Sequence, residues 1–447
     1  MTSRIFHQTL ISMLAPQRVR IMRDIQSRQN WQVQQIKQFQ EEKLQQLIHY
    51  CWQYVPFYRS RWQGFIDSPQ DIQHIEDLTR LPLLSKEELR AELPTFITTA
   101  PWIKSVEART GGSTGQPVIF RMTKEDQESM WAQLYTAWHW AGWQLSDPFL
   151  VVGGESVGTG LTDKRTWKDR IINRWVFSGS NLTLARVKTL TQSSHFQKIR
   201  FIYGYPNAIR ELGELLAELG ETFPNLKGIV CTAEVMRQEV RQRIEDTLKA
   251  SVFDLYGLND GGLFAAEGPE HDGLHLFFHR GILEILDDDN QPIYALKQSG
   301  RAIATCLSNW ATPFIRYETG DIVHWHSQQP ASSGISWPRI GPVDGRTGDV
   351  LVLPSGRRIA MPGLTLVMRW LDGLQQYQFI QSAADTIIVR LDCGKAFTLS
   401  EADVIDFLRK KITDEITWKI IWDKPELSRN DKLLIIKNDW LQGQDES

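Results

Sequence analysis

The residues best suited to chemistry lie in Thr110-Gly111-Gly112-Ser113-Thr114-Gly115-Gln116-Pro117, ahead of the strand-like Val118-Ile119-Phe120. Its glycines let the backbone turn tightly and expose N–H groups, and the hydroxyls of Thr110, Ser113 and Thr114 add donors. Such a nest suits polyphosphate oxygens. The same composition also suits an ordinary surface loop. No G-x-x-x-x-G-K-[ST] run exists, so this is not a Walker A loop. A second glycine-rich run, Gly153-Gly154 through Gly160, follows a strand-like segment but lacks both the Walker lysine and a G-x-G-x-x-G pattern. It reads as substrate-side or structural.

Loops of this kind need a frame. Short apolar segments at Phe149–Val152, Arg200–Tyr203, Gly228–Cys231 and Val252–Leu255 read as buried strands. Helical patterns at Ala208–Glu218 and Met236–Leu248 separate the later ones, and that alternation predicts a largely parallel sheet covered by helices. Leu274–Phe278, Ile282–Leu286 and Ile303–Leu307 follow one another closely, which suggests an antiparallel section. Residues 31–55 read as one amphipathic helix, with Leu44, Leu47, Ile48, Cys51, Trp52 and Val55 at helical spacing and a stop at Pro56. Beyond about residue 345, strand-like Val350–Leu353, Tyr377–Ile380 and Ile387–Leu391, a helix at Ala402–Lys411 and strand-like Trp418–Trp422 make a smaller α+β unit. The expected class is α/β, a large N-terminal domain of sheets flanked by helices plus a small C-terminal domain.

The chain's 447 residues suit two or three folding units at roughly 100–200 residues each. Its net charge of −3, without basic stripes or single-sign blocks, argues against a nucleic-acid surface. Cys51, Cys231, Cys306 and Cys393 are scattered, with no C-x-x-C pair, which fits a reducing compartment. The apolar stretch Leu10–Ala15 is too short to span a bilayer, and cytoplasmic is the default. The 17 tryptophans read as core filling.

Several segments, taken in order, resemble the adenylate-forming superfamily of acyl-CoA synthetases, peptide-synthetase adenylation domains and luciferases. Thr110–Pro117 resembles its phosphate loop, and Thr232-Ala233-Glu234 its adenine-side segment. Tyr256-Gly257-Leu258-Asn259-Asp260 resembles Y-G-x-T-E, whose tyrosine stacks on adenine and whose acid helps hold magnesium. Arg316-Tyr317-Glu318-Thr319-Gly320-Asp321 resembles the T-G-D segment, whose aspartate binds the ribose hydroxyls. Gly345-Arg346-Thr347-Gly348-Asp349 resembles G-R-x-D-D at the entry to the C-terminal domain, and Ser428–Lys432 sits where the family carries its catalytic lysine. Val55-Pro56-Phe57-Tyr58-Arg59 and Ser85-Lys86-Glu87-Glu88-Leu89-Arg90 are similar to the phenylacetate–CoA ligase and CapK group. Taken singly, Asp321 and Asp349 also suit turns beside glycine, Tyr256 a core position and Lys432 a solvated surface.

The resemblance implies ATP-dependent activation of a carboxylic acid to an acyl-adenylate, with pyrophosphate released and the acyl group passed to a thiol. Coenzyme A is the expected acceptor. A carrier protein, amine or sugar is the alternative acceptor, and a non-catalytic nucleotide-binding relative is the alternative to an enzyme. It also implies an AMP-binding domain over residues 1–345 and a mobile lid domain over 346–447. Thr110, Gly112, Ser113, Thr114 and Gly115 would grip the phosphates. Thr232, Ala233, Glu234, Tyr256, Gly257, Leu258 and Asn259 would hold the adenine side, Asp321 the ribose, and Arg346 the ribose-phosphate side. Lys432, Asp260 and Thr110 take the catalytic roles, with Asp260 also at Mg²⁺. Family members often pair as dimers.

This chain departs from the family at Asp260, one methylene shorter than the usual glutamate, at Gly348 in place of the first hinge aspartate, and at Asp431 before Lys432. His271 and His275 come without a nearby cysteine, so no zinc is expected. Trp131, Tyr135, Trp138, Trp140 and Trp143 suit an aryl or apolar acid pocket, but at least three of them read as core. Tyr203-Gly204-Tyr205-Pro206 should end a strand pointing at the site.

Overall fold

A computed structural model describes residues 9–109, 119–154, 157, 165–179, 182–258, 261–346, 350–355, 358–360, 364, 367–368, 370–394, 396–427 and 433–442. Two compact units emerge, one of residues 1–319 and 323–342, the other of residues 320–322 and 343–447.

In the first unit, the strands Phe149–Gly153, Phe201–Gly204, Gly228–Thr232 and Val252–Gly257 lie side by side and parallel, with Arg174–Ser178 parallel at the edge. Phe264–Glu267 and Leu274–Leu276 then continue antiparallel, and Gly281–Leu286 pairs antiparallel with Ser299–Cys306. The four parallel strands beginning at residues 149, 201, 228 and 252 are those expected from the sequence, each extended by a residue or two at its C-terminal end. Their apolar runs are buried on both faces, as a parallel sheet between helices requires.

One face packs on the helices Pro206–Glu218 and Gln238–Leu248 through Ile209, Leu212, Val240, Ile244 and Val252. The other meets the helix Lys124–Trp140 through Tyr135, Trp138, Phe149, Phe201 and Phe253. Tyr135, Trp138, Trp140 and Trp143 are all buried, while Trp131 is half-buried with the Arg18 guanidinium 5.2 Å from its ring centroid. Four of these five aromatics are therefore core, in keeping with the larger share assigned to packing.

The amphipathic helix runs Val33–Tyr54 and stops before Pro56, which opens the next helix, Pro56–Arg61. Proline is tolerated at that first helical position because its missing N–H would have no partner there. Leu44, Leu47, Ile48 and Cys51 bury one stripe against Leu84, Phe120, Phe314 and Tyr317. Tyr58 Oη donates to the Pro313 carbonyl at 2.9 Å and accepts from the Ile315 N–H at 3.0 Å, tying this segment to the chain beneath.

The second unit contains a four-stranded sheet in the order Thr417–Ile421, Thr386–Cys393, Leu374–Ala383, Ile436–Asn438. Its central pair is antiparallel and both outer pairs are parallel. The helix Glu401–Lys411 starts at a capping box, with Ser400 Oγ accepting from the Asp403 N–H. The strand Ile436–Asn438 was not among the expected strands, because three residues are too few to show a strand period in the sequence.

Candidate active site

The parallel strands deliver their carboxyl ends to one edge of the sheet, where open α/β sheets bind ligands. Gly204, Thr232 and Gly257 all stand there. Gly204 is dictated by packing, since a Cβ at that position would lie 1.7 Å from the Val152 carbonyl oxygen. The chain passes directly over the neighbouring strand into Tyr205, which begins the helix Pro206–Glu218.

Thr232 is buried at its strand end, and Ala233 follows in the left-handed region at φ 71°. That conformation is uncommon for a residue with a Cβ and is held by its surroundings. The Glu234 carboxylate accepts from the Asn207 backbone N–H at 3.2 Å and from Asn207 Nδ2 at 2.8 Å. The adenine-side segment is thereby tied to the turn after Tyr203–Tyr205. Burial pushes the Tyr203 phenol well above its ordinary range, opposed by its hydrogen bond to Thr232.

Tyr256 is half-buried near the end of Val252–Gly257, and Gly257 is exposed. The Leu258 N–H donates to the Leu263 carbonyl at 2.9 Å. Gly261 and Gly262 both have φ 76°, and a Cβ on Gly262 would lie 2.4 Å from Cys306 Sγ.

In the second unit, Asp321 pairs in register with Arg346 and Ile322 with Gly345. Arg346 Nε stands 3.1 Å from Asp321 Oδ1, and Asp321 is buried. The sequence marked Asp321 as part of a motif. The structure places it within the long strand Tyr317–Ser327, whose inward positions include Tyr317, Thr319, Asp321 and Val323. Thr110, Gly112, Ser113, Thr114, Gly115, Asn259, Asp260, Gly348 and Lys432 lie outside the described residues.

Comparison with known proteins bears on this arrangement. No protein-family model matches the chain. It is 25% identical over 332 residues to a phenylacetate-coenzyme A ligase of Thermus thermophilus, covering 72% of each chain. It is 24% identical to the protein CapK of Staphylococcus aureus over 71% of this chain and 70% of that one. A 2-hydroxyisobutyryl-CoA ligase in its postadenylation state with R3-HIB-AMP superposes with a TM-score of 0.73, at 17% identity, over 94% of this chain and 93% of that one. The fold is that of an adenylate-forming ligase.

Within this fold the structure brings Thr232–Glu234 and Tyr256–Leu258 to the ends of neighbouring strands, and sets Asp321 opposite Arg346. A charged cluster on the strand bearing Tyr256 had no sequence signal. Asp254 is buried, and its N–H donates to Glu267 Oε2 at 2.9 Å. Arg241 Nη2 reaches the same oxygen at 2.8 Å, and His271 Nδ1 lies 3.4 Å from Glu267 Oε1. Burial, reinforced by Glu267, pushes the Asp254 carboxyl up to about 7. Although burial opposes it, the bonds from His271 and Arg241 hold Glu267 below its ordinary value. These groups line a cavity of about 590 Å³ with Met236, Glu245, Asp272 and His326. His275 pairs with Glu270, so both histidines singled out in the sequence face carboxylates. Only their arrival on adjacent elements could have revealed the cluster, because Asp254 and Glu267 are 13 residues apart.

Proposed function

We propose that this protein activates a carboxylic acid with MgATP, forming an acyl-adenylate and pyrophosphate, and then transfers the acyl group to a thiol, with coenzyme A as the acceptor. The observation that carries the reading is the pairing of two adenine-side segments, Thr232–Glu234 and Tyr256–Leu258, on adjacent strand ends in an adenylate-forming fold.

Both reactants are anions, so the first step demands neutralisation and alignment. In this reading the Thr110–Gly115 loop grips the phosphates, and Asp260 helps hold the magnesium that arrives with ATP. Tyr256 and Thr232–Glu234 fix the adenine. Asp321 accepts from the ribose hydroxyls, and Arg346, already paired with it, orients the ribose-phosphate side. Lys432 meets the carboxylate and the α-phosphate as the carboxylate oxygen attacks phosphorus and pyrophosphate departs. Residues 346–447 act as the lid domain, with Gly348-Asp349 as its hinge. The thiol then attacks the acyl carbon and AMP leaves, so no residue of the chain becomes covalently modified.

The test is acid-dependent pyrophosphate release from MgATP across a panel of carboxylic acids, with hydroxylamine to trap the acyl-adenylate. Trapped hydroxamate is expected, and Lys432→Ala should reduce its rate by about 100-fold or more. Protein that binds ATP but releases no pyrophosphate with any acid would replace this reading with a nucleotide-binding protein.

A further inference from the structure

Next to the Tyr256–Leu258 segment lies a buried cation that has no ion-pair partner among the described residues. Arg280 is 1% exposed and ranks among the largest fully buried side chains. Its Nε and Nη1 have no hydrogen-bond partner, and Nη2 reaches only the Leu258 carbonyl, at 3.4 Å. Among the described residues no carboxylate stands within 4.0 Å of it. The other deeply buried guanidiniums are matched: Arg316 has Glu284 and Arg339 has Asp272. Burying an unpaired guanidinium costs several kcal/mol in general, and a fold retains one where something else supplies the anion.

The helix Lys124–Trp140 presents Asp126 to Ser308, next to Leu307, whose N–H donates to the Arg280 carbonyl at 2.8 Å. Asp126, Ser129 and Gln133 share one face of the helix Lys124–Trp140. Gln133 is fully buried and its Oε1 has no partner, while Nε2 donates to Ser129 Oγ at 3.1 Å. Ser308 Oγ donates to Asp126 Oδ1, and Cys306 feels the charges of both Asp126 and Arg280. The helix and Arg280 thus converge at Cys306–Ser308, below the turn closed by Gly261 and Gly262.

We propose that Arg280 binds a second carboxylate on the acid, so that the substrate is a dicarboxylic acid. This rests on the adenylation reading above. The reacting carboxyl meets ATP beside Tyr256–Leu258, and the chain of the acid carries its other end past Leu258 to the guanidinium. Water could accept the two idle N–H bonds but would leave the charge in place. A carboxylate satisfies both bonds and the charge, and the planar guanidinium fork matches it.

The experiment measures pyrophosphate release with dicarboxylic acids of three to seven carbons, each against its monomethyl ester and the monocarboxylic acid of equal length. Wild type, Arg280→Met and Arg280→Lys are compared. The best dicarboxylate should exceed its monoester by about 10- to 100-fold in kcat/KM, the span of a charged hydrogen-bonded pair. Arg280→Met should bring that ratio near one through KM, and Arg280→Lys should keep part of it. A wild-type ratio at or below one, or one that Arg280→Met leaves unchanged, overturns the proposal while adenylation stands. If Arg280→Met does not fold, the wild-type ratio decides alone. If no acid releases pyrophosphate, the adenylation reading fails by itself. Thermal stabilisation of wild type by dicarboxylates without ATP, and not by their monoesters, still supports the Arg280 site, and equal stabilisation overturns it.

Discussion

Replacing Asp254 with asparagine should stabilise the protein most at alkaline pH, with a smaller gain of about 1.6 kcal/mol already present at pH 5. The wild-type carboxyl is raised from its ordinary 3.8 to about 7 by burial and by Glu267. The native state therefore binds a proton that the unfolded chain releases, and stability falls as pH rises between those two values. Each pH unit in that window costs about 1.36 kcal/mol. Above pH 7 the accumulated penalty is about 4 kcal/mol. An asparagine is neutral throughout, and its Oδ1 can still accept the 2.9 Å bond from the Leu255 N–H. Glu267 keeps Arg241 and His271 as partners in the variant, and these hold its carboxyl below its ordinary value. Urea unfolding followed by tryptophan fluorescence at pH 5, 6, 7 and 8 provides the assay. The variant should gain on wild type progressively, by several kcal/mol at pH 8. Parallel pH profiles for the two proteins would refute the reasoning, because Asp254 would then be ionised, and compensated, in the native state.

Further substitutions probe the frame and the site. Arg316 holds Glu284 through Nη2 at 2.9 Å and the Leu81 carbonyl through Nη1 at 2.5 Å, with both side chains buried. Arg316→Met should destabilise by about 3 kcal/mol, the lower end for a broken buried pair, because burial already raises the Glu284 carboxyl and protonation limits the loss. Arg316→Met/Glu284→Leu should recover most of it in the same unfolding assay. Glu234→Ala frees the turn that Asn207 pins, and should raise KM for ATP by about tenfold with a smaller change in kcat. Glu234→Gln keeps an acceptor for Asn207 and should restore most of the affinity, as read by pyrophosphate release at varied ATP.

The sequence by itself determined the frame of this protein and the position of its motifs. Runs such as Phe149–Val152 and Gly228–Cys231 are apolar on both faces, a pattern that fixes buried parallel strands without knowledge of their neighbours. Pro56 ended one helix and began another through its own covalent geometry. Thr232–Glu234 and Tyr256–Leu258 could be recognised because each motif is continuous in the chain. Only tertiary structure decided what lies between motifs. Tyr317–Ser327 mixes threonine, aspartate and histidine into its alternation, so its strand period is masked until partners are present. The Asp254–Glu267–Arg241–His271 cluster and the idle guanidinium of Arg280 have no local signature at all. Which groups the folded chain brings within hydrogen-bond reach, and which it leaves without a partner, depends on burial and through-space distance.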